Sequence, residues 1–253
     1  MLLRRVTQHV RKQEWTAIAI DFVIVVVGVF IGIQAANWNE ARADEARARG
    51  YLERIHNDLE ADVANYQNRM RFWGVVSTYG RTGLAYADTG SLGDRTHWDM
   101  LLAYFQASQV AEFWTNSTTY DELRSAGELN LIANLKLRNA LARYYTNTGN
   151  PALTERPAYR EHVRGVIPID VQLYIWTKCY ASNALGDQFL RNCASPVTEA
   201  RASEIVNAIG RDQKLMSELR YWMSTMQVAS QIGRDSMTLA RQSLASVDAE
   251  LSD

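Results

Sequence analysis

Proline and cysteine are scarce in this 253-residue chain, at four and two copies, and histidine is nearly as rare at four. So few prolines, beside fourteen glycines, exclude a collagen-like or Pro/Gly-rich chain, and twelve tyrosines with seven tryptophans argue against disorder. An excess of charge of either sign is missing too: 27 basic and 28 acidic side chains leave a formal charge of -1. That balance offers nucleic acid no general attraction, and no basic motif supplies one, so nucleic acid is not an expected partner.

Catalytic signatures are equally absent. His9, His56, His97 and His162 lie far apart, and none has the H-E-x-x-H or Cys-x-x-Cys spacing of a zinc site, so neither metal nor cofactor is expected. No G-x-x-x-x-G-K, G-x-G-x-x-G or G-x-S-x-G pattern provides a phosphate loop or a nucleophile elbow. Glu112, Asp121 and Glu122 resemble a paired-carboxylate site only loosely, since acids beside a helix start are explained by the helix dipole. Asn116-Ser117-Thr118 fits a glycosylation acceptor, which we take as a chance match. The chain is therefore not expected to be an enzyme.

Long apolar runs are missing except for one. A mean hydropathy of -0.26 excludes a multi-span transporter, but the segment TAIAIDFVIVVVGVFIGIQAA, Thr16 to Ala36, carries Asp21 as its single charge. At about 1.5 Å per residue it reaches roughly 30 Å, the thickness of a hydrocarbon core. Trp15 and Trp38 flank it where amphipathic rings sit at headgroup level. A buried globular helix rarely runs so far with one charge. A cleaved signal peptide would place its basic region in residues 1–12 and its small-residue site at Gln34-Ala35-Ala36, yet Asp21 interrupts the apolar stretch. An uncleaved anchor is expected: residues 1–15 a cytoplasmic basic tail, 16–36 a transmembrane helix, 37–253 a periplasmic domain. Lys and Arg on the two flanks nearly tie, so orientation leans on Cys179 and Cys193. Two cysteines in an exported domain predict one disulfide, whereas two free thiols would be unremarkable in the cytosol.

Gly28, Gly32 and Ala36 form a small-residue stripe on the span, the kind that lets another helix backbone approach closely. Asp21 lies about two and three turns before the two glycines, on or near the same stripe. An unpaired Asp costs about 2.5–3.5 kcal/mol at the bilayer centre and less near the interface. Two readings of Asp21 stand: a carboxylate snorkelling to the headgroups, or contact with a polar group on a partner helix. A proton relay lacks a second ionisable group in the span.

Beyond the span, Leu52, Ile55, Leu59, Val63, Tyr66 and Met70 recur at three- and four-residue steps. They predict a helix over about 40–73 that continues the span, with Glu and Arg alternating on its solvated face. Residues 88–95 form a turn, and a helix follows from His97 to about Ala111. Thr119 with Glu122 matches a capping box for a short helix weakened by Ser125-Ala126-Gly127. Asn134 caps the next, which carries Leu137, Leu141 and Tyr144 and stops at Thr148-Gly149-Asn150-Pro151. The stretch 171–176, VQLYIW, fits a strand or one buried helical turn, and Ser195-Pro196 opens a helix to about Gly210. A last helix over about 211–251 has the length to pack antiparallel against 40–73. Trp98, Phe105, Trp114, Tyr144, Tyr145 and Trp222 are assigned to the core. The expected fold is all-α, a transmembrane helix followed by a mainly helical extramembrane bundle.

The stretch from Asp21 to Glu40, ending Gln34-Ala35-Ala36-Asn37-Trp38-Asn39-Glu40, resembles the opening of a family of bacterial single-span membrane proteins of unknown function. Its members show a basic tail, an acid heading a Val/Ile-rich span, and an ending close to Gln-x-x-Asn-Trp-Asn-Glu. Tyr120-Asp121-Glu122-Leu123-Arg124-Ser125-Ala126-Gly127, Leu137-Arg138-Asn139-Ala140-Leu141 and Tyr144-Tyr145 are similar as well. The chain departs from the pattern at Asp21, where Glu is expected, and at Gly32 and Ala36, where larger residues are common. The resemblance implies a layout rather than an activity: one uncleaved span in the inner membrane, a helical extracytoplasmic domain, and a membrane-exit motif of Gln34, Asn37, Trp38, Asn39 and Glu40. Asn37 and Asn39 are suited to headgroups or a neighbouring loop, with Trp38 holding register.

The expected function is a non-enzymatic accessory subunit of an inner-membrane complex, with other membrane subunits or further copies of itself, and lipids, as partners. A stator-like energy-transducing subunit and a membrane-anchored ligand or lipid sensor are the alternatives. In oxidised membranes Cys179 and Cys193 should resist an alkylating reagent until reduced. Two freely alkylated thiols would remove the basis for a periplasmic domain.

Overall fold

The computed structural model describes residues 15–111, 113–147, 156–184 and 186–252. The basic tail before Trp15, Glu112 and the helix end expected at residues 148–151 lie outside the described residues. Helix α1 runs unbroken from Trp15 to Thr89, 75 residues and roughly 110 Å. The span and the first extramembrane helix are thus one element, and it outruns its expected end at Trp73. No proline interrupts it. It stops where Gly90 adopts φ +68, with the Gly90 N–H donating to the Tyr86 carbonyl at 2.7 Å.

Helix α2, His97–Ala107, opens on a reciprocal cap that sequence spacing alone had not singled out. The Asp99 N–H donates to Thr96 Oγ1 at 3.2 Å, and the Thr96 N–H donates to Asp99 Oδ2 at 2.8 Å. From Trp98 to Ala107 every residue except Asp99 is buried, so α2 is the central rod of the bundle. It ends at Ala107 rather than Ala111. Ser108 terminates it, its hydroxyl donating to the Phe105 carbonyl at 2.6 Å.

Helix α3 (Thr118–Ser125), a 3-10 turn at Leu129–Leu131 and α4 (Leu135–Asn147) follow. The N-cap of α3 is Ser117, and the expected cap Thr119 is buried inside the helix. Ser117 lies where it does because Asn116, just before it, is tied by its N–H to Asp62 of α1. Asn134 caps α4 as expected, its Oδ1 accepting from the N–H groups of Lys136 and Leu137 at 3.0 and 3.2 Å. Helices α5 (Ala158–Val166) and α6 (Ile169–Lys178) come next, so residues 171–176 are helical. Strands β1 (Tyr180–Ser182) and β2 (Gln188–Leu190) pair antiparallel, Tyr180 opposite Leu190. Helix α7 (Glu199–Arg211) starts at its Thr198 cap, a few residues after Ser195-Pro196, and α8 spans Gln213–Ser252.

The bundle is organised by α1 and α8 lying antiparallel. Proceeding up α1, His56 meets Asp248, Trp73 packs on Gly233, Gly80 faces Met223, and Asp88 meets Arg220. Glycine makes the close approaches possible: a Cβ on Gly83 would sit 2.7 Å from the Tyr104 ring of α2. Cys179 at the end of α6 and Cys193 after β2 form a disulfide, their Cα atoms 5.3 Å apart. It closes the loop that holds the hairpin, where the Arg191 N–H donates to the Cys179 carbonyl at 2.9 Å. Trp114, assigned to the core from its sequence, is instead 66% exposed on the connection between α2 and α3.

Truncating the chain after Gly210 should expose the α1 stripe of Leu52, Ile55 and Leu59 and cause aggregation of the purified protein. A soluble, protease-resistant remnant would show that α8 is a separate arm.

Candidate functional site

The residues singled out in the span stand on the part of α1 that no other described residue buries. The apolar window of α1 has a mean hydropathy of 2.5 and none of it is buried. Among the described residues this is the one helix long and apolar enough to cross a membrane. A Cβ added at Gly28 or Gly32 meets no atom within 4 Å. Among the described residues, then, no other element packs on the stripe of Gly28 and Gly32 that Asp21 and Ala36 extend. Gln34, Asn37, Trp38, Asn39 and Glu40 are exposed as well. The Arg42 guanidinium lies 4.9 Å from the Trp38 ring centroid.

One bundle turn further up, α3 and α4 clamp α1. Helix α3 ends in a Schellman motif: the Glu128 N–H donates to the Leu123 carbonyl at 3.0 Å, and the Gly127 N–H donates to the Arg124 carbonyl at 3.1 Å. Gly127 supplies the required positive φ of 73. This turn aims two carboxylates at α1. Glu122 accepts from both Arg54 nitrogens at 2.7 and 3.3 Å, and Glu128 accepts from the Tyr51 hydroxyl at 2.7 Å. The Arg54 bond holds the Glu122 carboxyl below its usual range, and the Glu128 bond raises the Tyr51 hydroxyl. The α8 end closes the clamp, with Asp248 on His56 and Glu250 accepting from Asn134, each at 2.7 Å.

At the centre of this region Asp62 is fully buried. It accepts from the Tyr144 hydroxyl at 2.7 Å, the Asn116 N–H at 3.0 Å and the Asn116 side-chain amide at 2.9 Å. Burial pushes its carboxyl above the ordinary range despite those three donors. Tyr66, also fully buried, stacks on Phe113 at 3.8 Å, and Tyr145 stacks on Tyr120 at 4.5 Å. Chemically this is an acid tied to two other elements, with no histidine or cation in contact. Among the described residues no group of three or more His, Cys, Asp or Glu is placed to hold a metal ion. Asp62 was hidden by its charge-rich surroundings. Its signal was position, since it falls on the buried stripe of Ile55, Leu59 and Tyr66.

A second polar cluster, also unread in the sequence, gathers at the C-terminal end of α2. Arg160 donates to the Ser108 carbonyl at 2.7 Å, and Arg164 donates to Ser108 Oγ at 3.0 Å and Gln109 Oε1 at 3.1 Å. The Arg164 guanidinium also lies 4.8 and 5.0 Å from the Phe105 and Trp176 ring centroids. Burial lowers the Arg164 guanidinium to about 9. Two cations on the negative end of a helix are a capping arrangement.

Residues 21–153 match the model of DUF6090, a family of unknown function. The chain belongs to the DUF6090 family. No curated protein and no solved structure matches it. The DUF6090 match begins at Asp21 and takes in the exposed stripe, the exit motif, and the α1, α3 and α4 parts of the clamp. Helix α8, which contributes Asp248 and Glu250, lies outside it.

Replacing Asp62 by Ala should destabilise the DUF6090 domain by about 3 kcal/mol, because Tyr144 and Asn116 lose their acceptor. Asp62 also carries a signed pH dependence. Its folded-state value is raised, so its contribution to stability is full below the ordinary carboxylate range and declines as pH rises through the folded value. Relative to Asp62→Asn, the wild-type melting temperature should rise on acidification from about pH 7 to about pH 4. A constant difference between the two across that interval would contradict this.

Proposed function

We propose that this DUF6090 protein is a non-enzymatic accessory subunit of a bacterial inner-membrane complex. In this reading Thr16–Ala36 crosses the membrane, the N-terminus is cytoplasmic, and the helical domain stands in the periplasm. The observation that carries the proposal is the continuity of α1, which passes from the uncovered apolar segment into the bundle without a hinge. A flexible anchor needs only a span and a linker. A helix that continues from one into the other fixes the rotation and tilt of the domain against whatever the span touches. The clamp through Arg54, Tyr51 and Asp62 supports the same reading by locking α3 and α4 to that helix. The Cys179–Cys193 disulfide supports the periplasmic side, since such bonds persist in oxidising compartments.

The span stripe is the proposed contact. Gly28→Leu and Gly32→Leu add bulk there while keeping the segment apolar. The tagged full-length double variant should reach the membrane at normal level yet lose the stoichiometric partner that the wild type retains in mild detergent. Val27→Leu, on another face, should retain it. Adding Asp21→Leu should deepen the loss if the carboxylate bonds across the contact. A wild-type chain recovered as a lone monomer would overturn the subunit reading, and a double variant that keeps its partner would move recognition to the helical domain.

A further inference from the structure

A half-open groove runs along α1 beside the stapled hairpin. Its main chamber holds about 600 Å³, within the range of small-molecule sites. A smaller chamber of about 140 Å³ adjoins it, and Arg71 and Val75 line both. The groove exists because of what α1 lacks there: Gly74 presents no side chain, and a Cβ built on it meets nothing within 4 Å.

The cations lining the main chamber are Arg71 and Arg95. Tyr79 donates its hydroxyl proton to Asn192 Oδ1 at 3.0 Å, and both side chains line the chamber. Among the described residues Arg95 and the Thr82 hydroxyl make no side-chain bond, and Arg71 makes one long bond, 3.3 Å, to Asn68. Neither arginine is ion-paired with a described residue, whereas Arg54 and Arg220 each meet a carboxylate at 2.8 Å or less. Asp99 is the one acid on the wall, and its Oδ2 is already taken by the Thr96 N–H and hydroxyl. The smaller chamber is lined by Phe72 and the exposed Phe189, continuing the apolar floor begun by Val75.

We infer that this groove binds a small anionic molecule with an apolar body. Its carboxylate, phosphate or sulfonate group lies between Arg71 and Arg95, and its apolar part lies along Val75 towards Phe189. Two guanidinium groups without a carboxylate partner among the described residues supply the charge-assisted donors an anion needs, a gain that a neutral ligand does not receive. The groove stands roughly 55 Å along α1 from Ala36, so the ligand comes from solution rather than from a bilayer around the apolar segment.

Naphthalene-2-sulfonate is a suitable probe, titrated calorimetrically into the full-length chain in lipid nanodiscs, with empty nanodiscs as the blank. It should bind saturably, about tenfold more tightly than 2-naphthalenemethanol, which lacks the charge, and more tightly than inorganic phosphate, which lacks the body. Arg71→Gln with Arg95→Gln should erase its advantage over the neutral alcohol. Gly74→Leu should abolish binding of both aromatic probes by filling the chamber, with an unchanged melting temperature showing that the fold is intact. No saturable binding, equal affinity for sulfonate and alcohol, or undiminished binding by Gly74→Leu would overturn the proposal. None of these outcomes depends on whether the chain is a subunit of a complex.

Discussion

The seam between α1 and α8 is the constraint on which the remaining structure depends. A helix of 75 residues with glycines at 50, 74, 80 and 83 has no intrinsic reason to remain straight through its upper half. It persists because one face is covered turn after turn, by Asp248 at His56, Gly233 at Trp73, Met223 at Gly80 and Arg220 at Asp88. Glycine alternates sides along the seam. Where Trp73 is large, Gly233 is small, and where Met223 is large, Gly80 gives way. Such complementarity fixes the register of the two helices, since a shift by one turn would set ring against thioether.

Around that seam five aromatic side chains donate to main-chain carbonyls. The indoles of Trp73, Trp98 and Trp222 donate to the carbonyls of Ala111, Cys193 and Ala107 at 3.2, 2.8 and 3.0 Å. Tyr104 and Tyr159 donate to the Gly83 and Tyr104 carbonyls at 3.0 and 2.9 Å. Each bond ties the central helix α2, or the chain leaving it, to a neighbouring element while the ring itself fills the core. Three of the seven tryptophans and two of the twelve tyrosines are used in this way.

The DUF6090 match and the bundle divide the molecule differently. Residues 21–153 hold the apolar segment, the clamp and most of α1, but the surface that completes the clamp belongs to α8. The groove beside the hairpin likewise combines α1 residues from within the match with Asn192 and Phe189 from beyond it. The matched stretch is therefore not a separable folding unit in this chain. Its apolar face needs the C-terminal helix, and that helix carries few contacts that do not involve α1 or its neighbours.

Periodicity and composition were sufficient for the long-range plan: the apolar N-terminal segment, the helical class, the paired long helices and the cap at Asn134. These follow from local rules, because apolar spacing at 3.6 residues and a side chain able to bond its own backbone are visible without neighbours. Other features needed the tertiary structure. Thr119 lost its expected cap role because Asp62, far away in sequence, fixes Asn116 and sets the start of α3 two residues earlier. Residues 171–176 fitted strand and helix equally, and burial of Val171 and Ile175 against the core chose the helix. Trp114 looked like core and is exposed, whereas Asp62, which no motif marked, is buried. Side-chain type alone sets the cost of burial, but whether it is met depends on donors and rings brought from distant segments, and those distances exist only once the chain is folded.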